Sequence, residues 1–318
     1  MNILFITASR IGDAILSTGL LDHIAREHPD AKVTIVCGPL AVSLFEGYPL
    51  LAEIIPLEKQ KRNKHWFDLW KRVVRTQWDV VVDLRNSAVS RLVLADSRYI
   101  FGPRIDKNAH KVEQNAAVMK LDYVPVPRLF PSLAQMEKAR ALIPEGFILA
   151  VGPAANWAAK TWPAERFIEI IEWMTGHNGL MPDAPVAVFA APGEEEAARK
   201  VLESVPQDRR VDVIAKADPG TAAAALSLCD FYIGNDSGLM HAAAAAGIPT
   251  VGLFGPSYPY LYRPYGPHCT YAATPESFDE LIAYEGYESS SAPCLMQSLS
   301  VDDVKKKIME LDKSRKAA

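Results

Sequence analysis

The sequence predicts an α/β protein built as two Rossmann-like, doubly wound domains. Short apolar runs rich in Val, Ile and Phe alternate with helical patterns, the arrangement that produces parallel sheets joined by crossover helices. The alternation stops at VPVPRLFPSL (124–133), which carries three prolines and reads as the linker region, and restarts at FILAVGP (147–153). A length of 318 residues is long for one core and comfortable for two. The expected domains are 1–140 and 141–318, facing each other across a cleft where a ligand would bind.

The elements follow in order. NILFIT (2–7) reads as the first strand, an amphipathic stretch from Ala14 to about Glu27 as its helix, and AKVTIV (31–36) as the second strand. DVVVDL (79–84) and RYIFGP (98–103) continue the first half. In the second half FILAVGP is a strand and PAERFIEIIEWM (163–174) a helix with Pro163 at its start, where a missing N–H is harmless. PVAVFAAP (185–192), the helix GEEEAARKVLES, the strand RVDVI and the helix AAAALSL come next. FYIGN, an alanine helix closed by Gly247, and PTVGLFGP complete the alternation, and VDDVKKKIMEL from about Val301 is the last helix.

Composition is that of an ordinary globular chain, 49% hydrophobic and 23% charged. No apolar stretch approaches the ~20 residues that cross a bilayer, and MNILFITASRIGD reads as a first strand rather than a signal peptide. The four scattered cysteines, without a CxxC pair, suit reduced thiols in a cytoplasmic protein. Residues 1–140 hold 20 Lys and Arg against 15 Asp and Glu, leaving 14 against 23 of the totals for residues 141–318. A basic half joined to an acidic half suggests that the first meets an anionic surface or substrate; nothing points to nucleic acid. EKQKRNKHWFDLWKRVVR (58–75) concentrates seven Lys and Arg with Trp66, Phe67 and Trp70. Two readings stay open for it, a solvated amphipathic helix with its aromatics in the core, or peripheral contact with anionic membrane lipid.

Four segments carry candidate chemistry. The first strand exits into TASRIGD, which lacks the G-x-G-x-x-G of a dinucleotide fold and so speaks against an NAD or FAD enzyme. Asp13 there is either a first-turn carboxylate favoured by the helix dipole or a general base, and Ser9, Arg10 and Gly12 are the accompanying acceptor-side candidates. GPAANWAAKTWP (152–163) places Lys160 in a loop of small residues, where it can project toward a phosphate. FAAPGEEEAARK (189–200) puts Glu194, Glu195 and Glu196 after a Gly193 turn, as helix-opening acids or as a ribose contact. GNDSGLMHAAAAAG (234–247) runs from a strand straight into a helix, whose unpaired N–H groups and dipole suit a phosphate or diphosphate. Gly238 allows close approach, Ser237 can donate a hydroxyl, and His241 reaches the same mouth. Asp236 would repel phosphate unless it pairs with Lys160 or orients a sugar hydroxyl.

ILFITASRIGDAILSTGLLDHI, the KTWP after the small-residue loop, GNDSGLMHAAAAAGIPTVGLFGPS and CLMQSLSVDDVKKKI resemble, in this order, glycosyltransferase family 9, the ADP-heptose:lipopolysaccharide heptosyltransferases and their relatives. The resemblance implies a GT-B fold with the acceptor site in the first domain and the nucleotide-sugar site in the second. It also implies an inverting, metal-independent transfer that needs no cofactor, and the chain has no Asp-x-Asp motif for a divalent metal. Residue by residue it implies Asp13 as the general base, Lys160 as the holder of the donor diphosphate, and Asp236, Ser237, Gly238 and His241 as donor contacts. The acidic residue after the Pro-Gly turn contacts the nucleoside, which points to Glu195 among its neighbours. The donor expected is ADP-heptose, the acceptor a lipopolysaccharide core or related glycan, and the location the cytoplasm or the inner face of its membrane. The alternatives are a nucleotide-sugar epimerase or hydrolase of the same fold, or a non-catalytic nucleotide-sugar-binding protein.

Overall fold

β-Branched and aromatic runs pair in parallel throughout, as the continuous apolar strands require. The computed structural model of the protein describes residues 1–289 and 291–317 and divides into two units, Met1–Leu133 and Ala134–Ala318, a division ahead of the 140/141 boundary expected from the sequence. The first unit holds strands β1 (Asn2–Ile6), β2 (Lys32–Cys37), β3 (Leu51–Pro56), β4 (Trp78–Asp83) and β5 (Ala95–Ile100). Its helices are α1 (Ile11–Leu16), α2 (Thr18–Glu27), α3 (Lys64–Val73), α4 (Val89–Leu92) and α5 (Lys111–Val118). The strands form one parallel sheet in the order β3-β2-β1-β4-β5.

The second unit follows α6 (Leu133–Leu142) with β6 (Leu149–Gly152), α7 (Ala164–Thr175), β7 (Val186–Ala190), α8 (Glu195–Ser204) and β8 (Arg210–Ile214). Then come α9 (Pro219–Leu226), β9 (Phe231–Asn235), α10 (Gly238–Ala245), β10 (Thr250–Phe254), α11 (Pro259–Tyr262), β11 (Cys269–Ala273), α12 (Phe278–Ile282) and α13 (Val301–Ala317). The sheet is again parallel, in the order β11-β10-β9-β6-β7-β8. In each unit the first strand is central and the strand order reverses beside it, between β1 and β4 and between β6 and β9. Such switch points open a crevice at the carboxyl ends of the strands.

Packing explains why these sequences take these places. Strands β6, β7, β9 and β10 are buried along their whole lengths, as expected of central strands covered on both faces. Trp162 packs edge-on against Phe167 with ring centroids 5.1 Å apart, and Ile170, Met174, Val304 and Ile308 join them in the core. The alanines of α10 are buried; their small side chains let the helix lie close to the sheet. Among the described residues the cysteines are free, and burial pushes the thiols of Cys37, Cys229 and Cys269 up to about 12. No helix of the described residues is long and apolar enough to cross a membrane.

The structure corrects the sequence reading in three places. The helix expected from Ala14 to Glu27 breaks at Ser17, which has φ −92° and ψ −12°. There the Ser17 hydroxyl donates to the Ala14 carbonyl, Thr7 lies 2.7 Å from the same oxygen, and Thr18 donates to the Ile15 carbonyl, so side chains compete with the helical ladder. The proline-rich 124–133 stretch is no free linker, because it is bound to the first unit. The Arg128 N–H donates to Thr18 Oγ1 at 3.0 Å and its guanidinium pairs with Asp22, while the Phe130 carbonyl lies against Gly47 and the Pro125 carbonyl against Gly19. Finally β3 and β11, both edge strands of mixed burial, lack the fully apolar signature by which the central strands were read.

A Cβ at Gly19 would lie 2.4 Å from the Pro125 carbonyl oxygen. Helical propensity alone would make Gly19→Ala stabilising by about 1 kcal/mol; the backbone contact reverses the sign, and we expect a loss of roughly 1–3 kcal/mol in urea unfolding. A gain in stability would show that the Pro125 segment moves aside at no cost.

Candidate functional site

In the first unit the turn after β1 carries Ser9 and Arg10 on the surface and leads into α1, with Gly12 and Asp13 half-buried in its first turn. Arg10 is the residue before the helix, in extended conformation and without a side-chain cap. Gly38, after β2, makes room for the turn: a Cβ there would lie 2.5 Å from the Ser9 carbonyl oxygen. Across the switch point Asp83 ends β4 fully buried and accepts from Arg85 N–H, Ser87 N–H and the Ser87 hydroxyl at 2.7–2.8 Å. The turn so held brings Arg85 Nη1 to 3.4 Å from Ser9 Oγ and its guanidinium over the Trp66 ring. Arg85 joins the Ser9–Asp13 turn as a cation that the sequence reading did not name; its signal was the position after an apolar strand's last residue.

In the second unit Lys160 and Asp236 meet at the β6/β9 switch point. The Lys160 ammonium lies 3.2 Å from the Asp236 carboxylate and 3.0 Å from the Asp236 carbonyl oxygen, and both side chains are largely buried. This pairing is the one suggested from sequence to keep Asp236 from repelling an anion. The loop of Lys160 is fixed from two sides. Asn235 Nδ2 donates to the Pro153 carbonyl at 2.9 Å and Asn235 Oδ1 accepts from the Trp162 N–H at 3.1 Å. From the C-terminal segment, Ser289 and Leu299 carbonyls accept from the Trp157 and Trp162 indoles, the Leu295 N–H donates to Ala159, and the Cys294 thiol donates to Thr161.

Ser237 stands immediately before α10 in extended conformation, with Gly238 the first helical residue and His241 buried one turn on. The carboxylates of the acidic cluster have different surroundings. Glu195 Oε2 turns back to accept from the Gly193 N–H at 2.9 Å, and this bond holds its carboxyl below the ordinary range. Glu194 is the half-buried neighbour. Its pKa is raised, chiefly by burial, against the opposing pull of a backbone hydrogen bond at Ala191 and, after it, of the Lys160 ammonium. Lys160, Asp236, Ser237 and Glu194 thus share one locality, and one Glu195 oxygen closes its own turn.

A family model for glycosyltransferase family 9 (heptosyltransferase) matches residues 66–279. The chain belongs to that family. Membership makes it a glycosyltransferase, which sets aside the epimerase, hydrolase and non-catalytic alternatives. The chain is 24% identical over 307 residues to lipooligosaccharide heptosyltransferase 2 of Haemophilus influenzae, covering 83% of this chain and 86% of that one. It is 26% identical over 306 residues to lipopolysaccharide heptosyltransferase 2 of Salmonella typhimurium, covering 83% and 85%. Among solved structures it is similar to a family 9 glycosyl transferase of Veillonella parvula, with TM-score 0.78, 21% identity and coverage of 98% and 96%. The ADP-heptose lipopolysaccharide heptosyltransferase II of E. coli gives TM-score 0.71, 22% identity and coverage of 99% and 100%. These likenesses show the fold, GT-B.

The Glu194 environment has a consequence for stability. A carboxyl whose folded pKa is raised destabilises the native state when ionised, at pH above that raised value, and the effect vanishes below its ordinary value of 4.5. Glu194→Gln should therefore raise the unfolding temperature at pH 7 and leave it unchanged at about pH 3.5. A fall at pH 7 would mean that the Ala191 hydrogen bond and Lys160, rather than burial, govern this carboxylate.

Proposed function

We propose that the chain transfers heptose from ADP-heptose to a lipopolysaccharide-core or related glycan acceptor, with inversion and without a metal ion. The observation that carries this is the buried Lys160–Asp236 pair at the switch point, just ahead of the α10 N-terminus. In a family 9 chain this set suits a sugar diphosphate: an ammonium for phosphate oxygens, amides and the Ser237 hydroxyl beside it, and Asp236 for a sugar hydroxyl once Lys160 turns to the ligand. The ADP and the heptose come from relatives, among them an E. coli heptosyltransferase bound to ADP-2-deoxy-2-fluoro heptose. On this reading the first unit binds the acceptor and the second the donor.

Asp13 takes the proton from the acceptor hydroxyl as that oxygen forms its bond to the anomeric carbon and the bond to the diphosphate oxygen breaks. The departing ADP is met by Lys160, Ser237, Gly238 and the α10 dipole, which supply without a metal the charge stabilisation that a divalent cation would otherwise give. His241 lines the same mouth. We assign the nucleoside contact to the acidic turn after Gly193, with Glu195 the residue that the family resemblance implies and Glu194 its neighbour within the field of Lys160. Ser9, Arg10, Gly12 and Arg85 form the polar surround of the acceptor hydroxyl.

Kinetics of heptose transfer test this assignment. Asp13→Asn should lower kcat by ~10²–10⁴-fold with ADP still bound, Lys160→Ala should weaken ADP binding in calorimetry, and transfer should survive excess EDTA. Unchanged kcat in the first, unchanged affinity in the second, or an activity abolished by EDTA and restored by Mg²⁺ would each overturn its part.

Contact with the cytoplasmic face of the membrane is the companion proposal. In the 58–75 segment His65, Leu69 and Val73 are buried, whereas Phe67 is 52% exposed, as are Leu92 and Leu94 beyond it at 63% each. Phe67 stacks on Trp70, whose indole donates to the Leu92 carbonyl, and the Lys71 ammonium lies 4.3 Å from the Phe67 centroid. An apolar ridge among lysines suits anionic lipid. The protein should co-sediment with phosphatidylglycerol vesicles at low salt, and Phe67→Ser should reduce this severalfold; equal binding to neutral vesicles would refute it.

A further inference from the structure

Tyr232, in β9, has no exposed surface. Its side chain runs along the sheet toward the strands' carboxyl ends. A Cβ on Gly234 would lie 2.3 Å from its hydroxyl oxygen, and a Cβ on Gly152 would lie 2.1 Å away. Gly152 and Gly234 are register partners across the β6/β9 switch point. The two glycines therefore leave open, at this edge of the sheet, the space that the phenol fills.

What the phenol finds there is unusual for a packed core. Neither Tyr232 Oη nor Ser237 Oγ has a hydrogen-bond partner in acceptable geometry among the described residues, and both atoms are cut off from solvent. Yet the two groups are neighbours. Burial, the largest influence, pushes the Tyr232 pKa up; the Ser237 hydroxyl opposes the rise and the Glu194 carboxylate adds to it. The phenol thus remains a neutral O–H donor beside the serine. Phenylalanine would fill the same space with no buried polar atom, so packing does not account for the hydroxyl.

We propose that Tyr232 is a positioning residue of the donor site, its buried phenol donating to Ser237 Oγ when a nucleoside diphosphate binds and so directing the single serine proton onto a phosphate oxygen. A serine hydroxyl has one proton and two acceptor sites. In the unliganded chain Ser237 Oγ is closed off from solvent, so binding must uncover it as Lys160 turns from Asp236 to the ligand; accepting from Tyr232, the uncovered hydroxyl then presents its proton to the phosphate, and a chain of two hydroxyls polarises each member toward the anion. The inference rests on the reading of Lys160 and Ser237 as diphosphate contacts.

The test is calorimetric titration of ADP into the full-length protein and its Tyr232→Phe, Ser237→Ala, double and Lys160→Ala variants, with thermal unfolding of each in the absence of ligand. We expect Tyr232→Phe to weaken ADP binding about three- to tenfold, the share of one hydrogen bond, while the unliganded unfolding temperature is unchanged or higher. The double variant should bind ADP no more weakly than Ser237→Ala alone. A structural role for the phenol would instead lower the unfolding temperature and spare affinity. Wild-type affinity in Tyr232→Phe beside weakened Ser237→Ala and Lys160→Ala would overturn the proposal and leave the donor site standing, and so would losses that add in the double variant. Wild-type affinity in both Ser237→Ala and Lys160→Ala would remove the donor-site reading and the role of Tyr232 with it.

Discussion

The second unit's site depends on the side-chain amide of Asn235. It ends β9 fully buried and clamps both ends of the loop that carries Lys160, donating to the Pro153 carbonyl and accepting from the Trp162 N–H. The loop between is Ala154, Ala155, Asn156, Trp157, Ala158 and Ala159, which has few side chains with which to fix itself. An amide is the group that the geometry calls for, since one partner is an acceptor and the other a donor. A carboxylate at this position would satisfy the Trp162 N–H and leave the Pro153 carbonyl facing a second acceptor. With the loop ends held, the Lys160 stem starts from a fixed point and its ammonium can be shared between Asp236 and a ligand.

The first unit uses the same position with the opposite chemistry. Asp83 ends β4 as Asn235 ends β9, each one strand across the switch point from the loop of interest. The groups around Asp83 are all donors, two N–H groups and a hydroxyl, so a carboxylate meets them and an amide would not. In the second unit the strand opposite holds the Lys160 loop itself; in the first it holds its own 85–87 turn, which brings Arg85 to Ser9. This explains how a loop as bare as GPAANWAAK is held in place: the fixing group lies elsewhere in the sequence.

That division also sets what could be read from the sequence. The central strands were legible because burial on both faces demands unbroken apolar runs such as ILFI and AVFA, and the motif loops were legible because they follow those runs directly. Edge strands β3 and β11 were not, since one open side relaxes the demand and allows LAEIIP or CTYAA. The break at Ser17 goes with side-chain bonds to the Ala14 and Ile15 carbonyls and a contact with Thr7, ten positions earlier in the chain, none of which helical periodicity registers. Within the site, Lys160 and Asp236 stand out by type, whereas the different surroundings of Glu194 and Glu195 do not. They turn on a Gly193 N–H that captures one carboxylate while the other lies within the field of Lys160.

The charge balance around Lys160 bears on how such a site would work. One ammonium stands with two carboxylates, Asp236 in contact and Glu194 within its field, so the locality is not a positive hole that would trap any anion. For the proposed diphosphate, attraction would then rest on directional donors, the α10 amides and the Ser237 hydroxyl, which discriminate by shape. On the proposed reading Lys160 leaves Asp236 for a phosphate oxygen, and the gain from that exchange grows with the charge on the oxygen. The charge is greatest as the bond to the anomeric carbon breaks. An ammonium already satisfied by Asp236 therefore gains little from the intact donor and more from the departing diphosphate, and interactions that strengthen along the reaction are the ones that raise its rate.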